Sequence, residues 1–260
     1  MRRRVLLTGG GSAILAAAMA AAAGAQARRD GPPAARPSGP PGRERVEQRF
    51  SSARGQTVDF YTAVPAGHGD GRGLPVCLIL HGGTKRPADY PALGLGRFLT
   101  DAVRHGAAPF VLAGADGDRL AWQPGGRDDP QRMVHQELPA WCAERGFDTA
   151  RTSAWGWSMG GSGALLLAES FPDSLRSVAA FSPAVTPGDA VFRQVAALRT
   201  VPVGLWCGTG DGLLDDVKAL RTAMPVKPVA GGYAPGRHDF GYWSTQIPAA
   251  FAFLARTLSP

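Results

Sequence analysis

From Val46 onward the hydrophobic positions fall into two alternating patterns. The stretches VEQRFSSA and QTVDFYTAV alternate apolar and polar residues with period two, which predicts an opening antiparallel pair of half-buried strands. LPVCLIL is an unbroken apolar run of the kind that central parallel strands use, because both of their faces are covered. Residues 90–105 predict a helix, PFVLAGA a strand, and residues 130–145 a helix that Asp128 or Asp129 caps ahead of Pro130. TSAWGW reads as a strand, SMGGSGALLLAESF as a helix, and SLRSVAAFSP and VPVGLWCGT as two more strands. A short helix over 213–223, a weak strand near 227–231 and a final helix, IPAAFAFLARTL, complete the order. Strands that alternate with helices imply an α/β fold whose central sheet is mostly parallel, with helices on both faces. No internal repeat interrupts this order.

Two segments precede Val46. MRRRVLLTGGGSAILAAAMAAAAGAQA has a basic start, a mildly apolar middle and Ala25-Gln26-Ala27, a small-residue cleavage signal. Its Arg2-Arg3 pair ahead of Val5 and Leu6 matches a twin-arginine export signal, so residues 1–27 are expected to direct export to the envelope or beyond. The apolar part, residues 12–25, is too short and alanine-rich to span a bilayer, which needs about 20 strongly apolar residues, so no stable membrane insertion is expected. Residues 28–45 open with RRDGPPAARPSGPPG, which lacks apolar periodicity and reads as a flexible leader. Residues 46–260 are then the folded domain.

The 260 residues suit one α/β domain. The net charge of +7 falls to +4 once Arg2, Arg3 and Arg4 are removed, and no basic stripe interleaved with aromatics remains, which argues against a nucleic-acid partner. The three cysteines, Cys77, Cys142 and Cys207, are odd in number and sit in apolar or helical patterns, so they read as buried thiols rather than a disulfide framework.

Chemistry concentrates at residues 156–160. Gly156-Trp157-Ser158-Met159-Gly160 fulfils G-x-S-x-G at the join of a predicted strand and helix, the setting of a nucleophile elbow. A sharp turn there strains the serine backbone and lifts its oxygen clear of the sheet, while the following helix turns free N–H groups toward a developing oxyanion. A serine hydroxyl needs a base, and the base an orienting acid. In this kind of turn the chain order is serine, acid, histidine. Of five histidines only His238 follows Ser158, in the loop APGRHDFGYW. Asp211, in CGTGDGLLDD, is the first carboxylate past its strand and is favoured over Asp215, on the rule that functional residues sit just outside a strand's carboxyl end. The Met159 N–H is one candidate oxyanion donor, and the loop His81-Gly82-Gly83-Thr84 supplies the other, from Gly83 or alternatively Thr84. His81 reads as a residue that braces this loop rather than as a second base.

These residues carry a resemblance. LILHGGT, MVHQELPAW, RTSAWGWSMGGSGAL, FSPAV, CGTGD and GRHDFGYW, spread over most of residues 75–243, resemble the α/β-hydrolase superfamily and, within it, the esterase D and antigen 85-like esterases of bacteria. The resemblance implies a serine carboxylesterase, or alternatively an acyltransferase of the mycolyl-transfer type that uses the same covalent intermediate with an alcohol acceptor. The chain departs from antigen 85 in its HGG oxyanion loop, in an aspartate where that group has glutamate, and in its shortness; these favour hydrolysis. The expected substrate is a small-molecule or lipid ester.

Fewer than twenty residues separate the strand ending at Ser182 from the next, so no large lid fits and the site is expected to be an open cleft. Trp122, Trp157 and Trp243 are candidates to line an acyl pocket, though tryptophans pack into cores as readily. Asp116 and Asp118 are too few carboxylates to argue for calcium, and no dinucleotide or P-loop motif is present, so no cofactor is expected. The acyl group, the alcohol and the oligomeric state are not legible.

Overall fold

The computed structural model describes residues 35–260. The expected export signal, and residues 28–34 of the expected leader, lie outside the described residues. Eight strands form one sheet: β1 (Arg43–Ser51), β2 (Gln56–Val64), β3 (Pro75–Leu80), β4 (Val111–Ala115), β5 (Asp148–Trp157), β6 (Val178–Phe181), β7 (Val203–Gly208) and β8 (Ala230–Ala234). Their spatial order is β1-β2-β4-β3-β5-β6-β7-β8. β1 pairs antiparallel with β2 and β2 antiparallel with β4, and every other pairing is parallel. The α/β fold read from the chain is thus the observed one. The central strands β3 and β4 are buried at every position, as their unbroken apolar runs require.

Helices cover both faces of the sheet. On one side lie α1 (Leu95–Arg104) and α6 (Phe240–Leu258), whose Leu95, Phe98, Leu99, Ile247, Phe251 and Leu254 pack with Cys77, Ile79 and Trp155. On the other lie α2 (residues 130–144) and α3 (Met159–Ser170), with Leu138, Leu165 and Leu167 against Leu78, Leu80 and Ala154. Two shorter helices, α4 (Ala190–Gln194) and α5 (Leu214–Ala223), complete this side. No helix among the described residues is long and apolar enough to cross a membrane.

The observed elements differ from the expected ones at several boundaries. The final helix starts at Phe240 rather than at Ile247, because the Asp239 carboxylate accepts the Tyr242 N–H at 2.9 Å and caps it there. Helix α2 is not regular: its middle, Met133–Glu137, widens into a π turn. The leader ends earlier than expected, since β1 begins at Arg43 rather than Val46. Nor is its described part free of the domain. The Ala35 N–H donates to Ser244 Oγ at 3.0 Å, the Ser38 N–H to Asp101 at 2.7 Å, and Arg97 donates to the Gly39 carbonyl at 3.0 Å. Backbone hydrogen bonds hold this segment, and composition carries no trace of them.

Helix α3 is buried almost all round, Gly160 to Glu169 without a break. It therefore encloses Glu169, whose two carboxyl oxygens have no hydrogen-bond partner among the described residues. Burial raises its pKa to about 9, with the nearby Asp189 charge adding to the effect. An acid with a raised folded-state pKa contributes stability that is fully present below its unfolded value, near 4.5, and is lost as pH rises toward about 9. Glu169→Gln is therefore expected to flatten the decline, leaving the variant more stable than the parent at pH ~8. Urea unfolding of both proteins at acidic and alkaline pH measures this; parallel pH dependences would contradict it.

Candidate active site

The turn from β5 into α3 carries Ser158 with φ 55° and ψ −124°, a conformation that L-residues adopt only under strain. Neighbouring glycines make the turn possible. A Cβ on Gly160 would lie 1.9 Å from the Leu80 carbonyl oxygen, and one on Gly156 would lie 2.1 Å from that of Gly160. Backbone bonds then fix the corner: the Ser158 N–H donates to Phe181 O at 2.9 Å, and the Ala184 N–H donates to Ser158 O at 3.0 Å.

His238 lies in the loop between β8 and α6, and Asp211 just past the end of β7. The His238 Nε2 is 2.8 Å from Ser158 Oγ, and its Nδ1 is 2.9 Å and 3.1 Å from the two carboxylate oxygens of Asp211. An ionised carboxylate only accepts, so Nδ1 carries the proton and Nε2 is free to accept the serine hydroxyl. Burial alone would push the Asp211 pKa up. Hydrogen bonds from His238 and from the Leu213 N–H at 2.9 Å, helped by the nearby Ser182 hydroxyl, outweigh it, and the carboxyl sits below its ordinary value. Exposure is graded along the row: the Asp211 side chain is fully buried, whereas that of His238 is 34% exposed. Asp215 is elsewhere, pointing outward from α5 and bonded to Lys218 Nζ at 3.0 Å.

Met159 opens α3 beside the serine, and the Gly83 backbone faces it: a Cβ on Gly83 would meet nothing nearer than the Met159 Sδ, at 4.0 Å. Gly83 is half-buried and Thr84 exposed. His81 braces this loop. Its Nε2 accepts the Gly117 N–H at 2.9 Å, which leaves the proton on Nδ1 for the Gly82 carbonyl, also at 2.9 Å.

The three tryptophans are buried rather than spread along an open wall. Trp122 packs against His81 and donates its N–H to the His81 carbonyl at 3.1 Å. Trp157 lies in the core against Tyr90, Trp155 and Phe240. Trp243, 7% exposed, contacts His238 edge to face, with ring centroids 5.0 Å apart. Between β6 and β7 stand only α4 and one 3-10 turn, Val195–Arg199; Ser158 is half-buried and His238 exposed. Sequence reasoning missed Ser182, whose buried hydroxyl accepts the Trp243 N–H at 3.0 Å. The FSPAV stretch contained it, but one serine at a strand end is no signal by itself.

The arrangement can move a proton from Ser158 to His238 while Asp211 stabilises the resulting imidazolium. Among the described residues no cluster of three or more His, Cys, Asp or Glu side chains could hold a metal ion.

A family model described as "Putative esterase" matches residues 51–254, and the chain belongs to that family. Solved structures similar to it include a ferulic acid esterase, with 18% identity, a TM-score of 0.76, and coverage of 84% of this chain and 99% of that one. An S-formylglutathione hydrolase from Agrobacterium tumefaciens gives 20% identity and a TM-score of 0.69, covering 84% and 96%. The feruloyl esterase module from Clostridium thermocellum, complexed with sinapinate, gives 16% and 0.72, covering 89% and 95%. These likenesses show the α/β-hydrolase fold, and the family makes the chain a carboxylesterase.

Asp211→Asn is expected to lower kcat by about 10⁴-fold at neutral pH with KM little changed, because the amide permits the wrong imidazole tautomer. Asp215→Asn is expected to leave kcat within about twofold. Steady-state kinetics of both variants at one pH checks the pair, and greater damage from the Asp215 change would move the acid to α5.

Proposed function

We propose that this chain hydrolyses small-molecule carboxylic esters through a covalent acyl-enzyme, with Ser158 as nucleophile, His238 as general base and acid, and Asp211 as its orienting acid. The observation that carries this reading is the unbroken row from Ser158 Oγ through His238 to the Asp211 carboxylate, at 2.8 Å and 2.9 Å. Ser158 Oγ attacks the acyl carbon as its proton passes to His238 Nε2. The N–H groups of Met159 and Gly83 receive the oxyanion, with Thr84 as the alternative to Gly83. Collapse breaks the ester C–O bond, and the alcohol leaves with the proton from His238. Water, deprotonated by the same nitrogen, then attacks the acyl-enzyme, and the acid departs as Ser158 regains its proton.

The HGG loop at 81–83 and the aspartate at position 211 support water as the acceptor. The acyltransferase reading makes a different product ratio when an alcohol is added. The similarity to a ferulic acid esterase and an S-formylglutathione hydrolase puts feruloyl esters and S-formylglutathione alongside short p-nitrophenyl esters on the first substrate panel. Turnover of at least one such ester is expected, and Ser158→Ala is expected to reduce it by about 10⁶-fold without unfolding the protein. A variant that keeps more than about one per cent of the activity would place the nucleophile elsewhere.

The reading includes export. Arg2, Arg3 and the Ala25-Gln26-Ala27 signal support cleavage ahead of Arg28 and passage out of the cytoplasm by a twin-arginine route. Arg2→Lys with Arg3→Lys is expected to retain the protein in the cytoplasm, and exported protein whose N-terminal sequence begins at Met1 would contradict the cleavage.

A further inference from the structure

Two side chains outside the proton path touch two of its three members, and they are bonded to each other. Trp243 lies in the first turn of α6. Its ring stands at 85° to that of His238, with centroids 5.0 Å apart, so an indole and an imidazole meet edge to face. Its N–H donates to Ser182 Oγ at 3.0 Å, which ties the histidine's neighbour to the end of β6.

Ser182 is unusual in its own right. It is fully buried, follows the last residue of β6, and has φ +40°, a left-handed backbone that a non-glycine residue holds only when its surroundings enforce it. The Ser182 N–H donates to the Trp206 carbonyl at 2.7 Å, so this backbone is fastened to β7, the strand that leads to Asp211. The hydroxyl faces the Asp211 carboxylate and the Cys207 thiol. A hydroxyl has one proton and two lone pairs. The Trp243 N–H occupies one lone pair, and the buried thiol, its pKa pushed up to about 12, stays protonated. Of the two, the ionised carboxylate is the stronger acceptor for the hydroxyl proton.

We propose that Trp243 and Ser182 are positioning residues of this site: Trp243 holds the His238 ring edge-on and locks the Ser182 hydroxyl, which holds the Asp211 carboxylate in register with Nδ1. The proposal rests on the hydrolase reading above and deepens it. It assigns Trp243 a role behind the histidine in place of the expected one on a substrate wall. It also gives the strained φ of Ser182 a purpose, since the hydroxyl reaches the carboxylate from a backbone that a relaxed strand end would turn elsewhere.

The test uses Ser182→Ala, which deletes the hydroxyl, and Trp243→Phe, which keeps a ring beside His238 but deletes the N–H. Each is expected to lower kcat by about tenfold with KM within about twofold, because the groups are displaced rather than removed. A carboxylate with one donor fewer stabilises the imidazolium more, so the acid limb of the kcat/KM profile is expected to move to higher pH, furthest in Ser182→Ala. The double variant is expected to be no worse than the worse single one, since both act through one carboxylate. If Ser182→Ala does not fold, Ser182→Gly carries the same test on a residue that favours positive φ. Folded variants with wild-type kcat and an unmoved acid limb, whatever their Tm, would overturn the proposal and show ordinary core packing. A wild-type chain that turns over no ester would instead defeat the hydrolase reading, so the two failures are distinguishable.

Discussion

The close passage of the backbone at Gly156 and Gly160 is the constraint on which the rest of the site depends. Ser158 holds a positive φ because β5 runs straight into α3 with no intervening loop, and that junction packs against the carbonyls that end β3. A methyl group at either glycine would strike backbone rather than a yielding side chain, so the turn has no room to relax. The strain is held by what surrounds it: a helix buried over ten consecutive residues, two covered strands, and hydrogen bonds that tie the corner to the last residue of β6 and to the chain after it. The hydroxyl is thereby carried above the carboxyl ends of the parallel strands, where the β7 and β8 loops deliver Asp211 and His238.

Electrostatics then follow the depth of each group. The carboxylate lies deepest and is satisfied by several donors, so it stays ionised in spite of burial. The imidazole spans buried and open regions, with one nitrogen held by charge and the other turned to the serine. The buried thiols take no part: burial raises the pKa of Cys77, Cys142 and Cys207 alike, which keeps them protonated. Glu169 is likewise out of the proton path, closed into the back of the same helix that presents the serine.

Much of this was legible in the chain because it is written in local patterns. LPVCLIL announced a doubly covered strand, and the glycines around Ser158 announced a tight strand-to-helix turn. The meeting of Ser158, Asp211 and His238 followed from chain order in a parallel α/β sheet, and the geometry brings those three together. What the chain did not disclose depends on partners far away in sequence. The packing of residues 35–42 includes bonds to Ser244, Asp101 and Arg97, which a Pro- and Gly-rich composition conceals. Three tryptophans near the strand ends look alike as letters. Only the fold shows that Trp122 packs on the His81 loop, Trp157 in the core and Trp243 against His238. Ser182 was invisible for the same reason, since its neighbours come from β7 and α6.

The central claim is that the strained serine is the nucleophile and that the row behind it is competent without further help. Incubating the purified chain with a fluorophosphonate, digesting it and locating the adduct by mass spectrometry tests this most directly. A single phosphonyl adduct on the peptide containing Ser158 is expected, at near-stoichiometric yield around neutral pH. An unlabelled protein that is folded, or an adduct on another residue, would contradict the account.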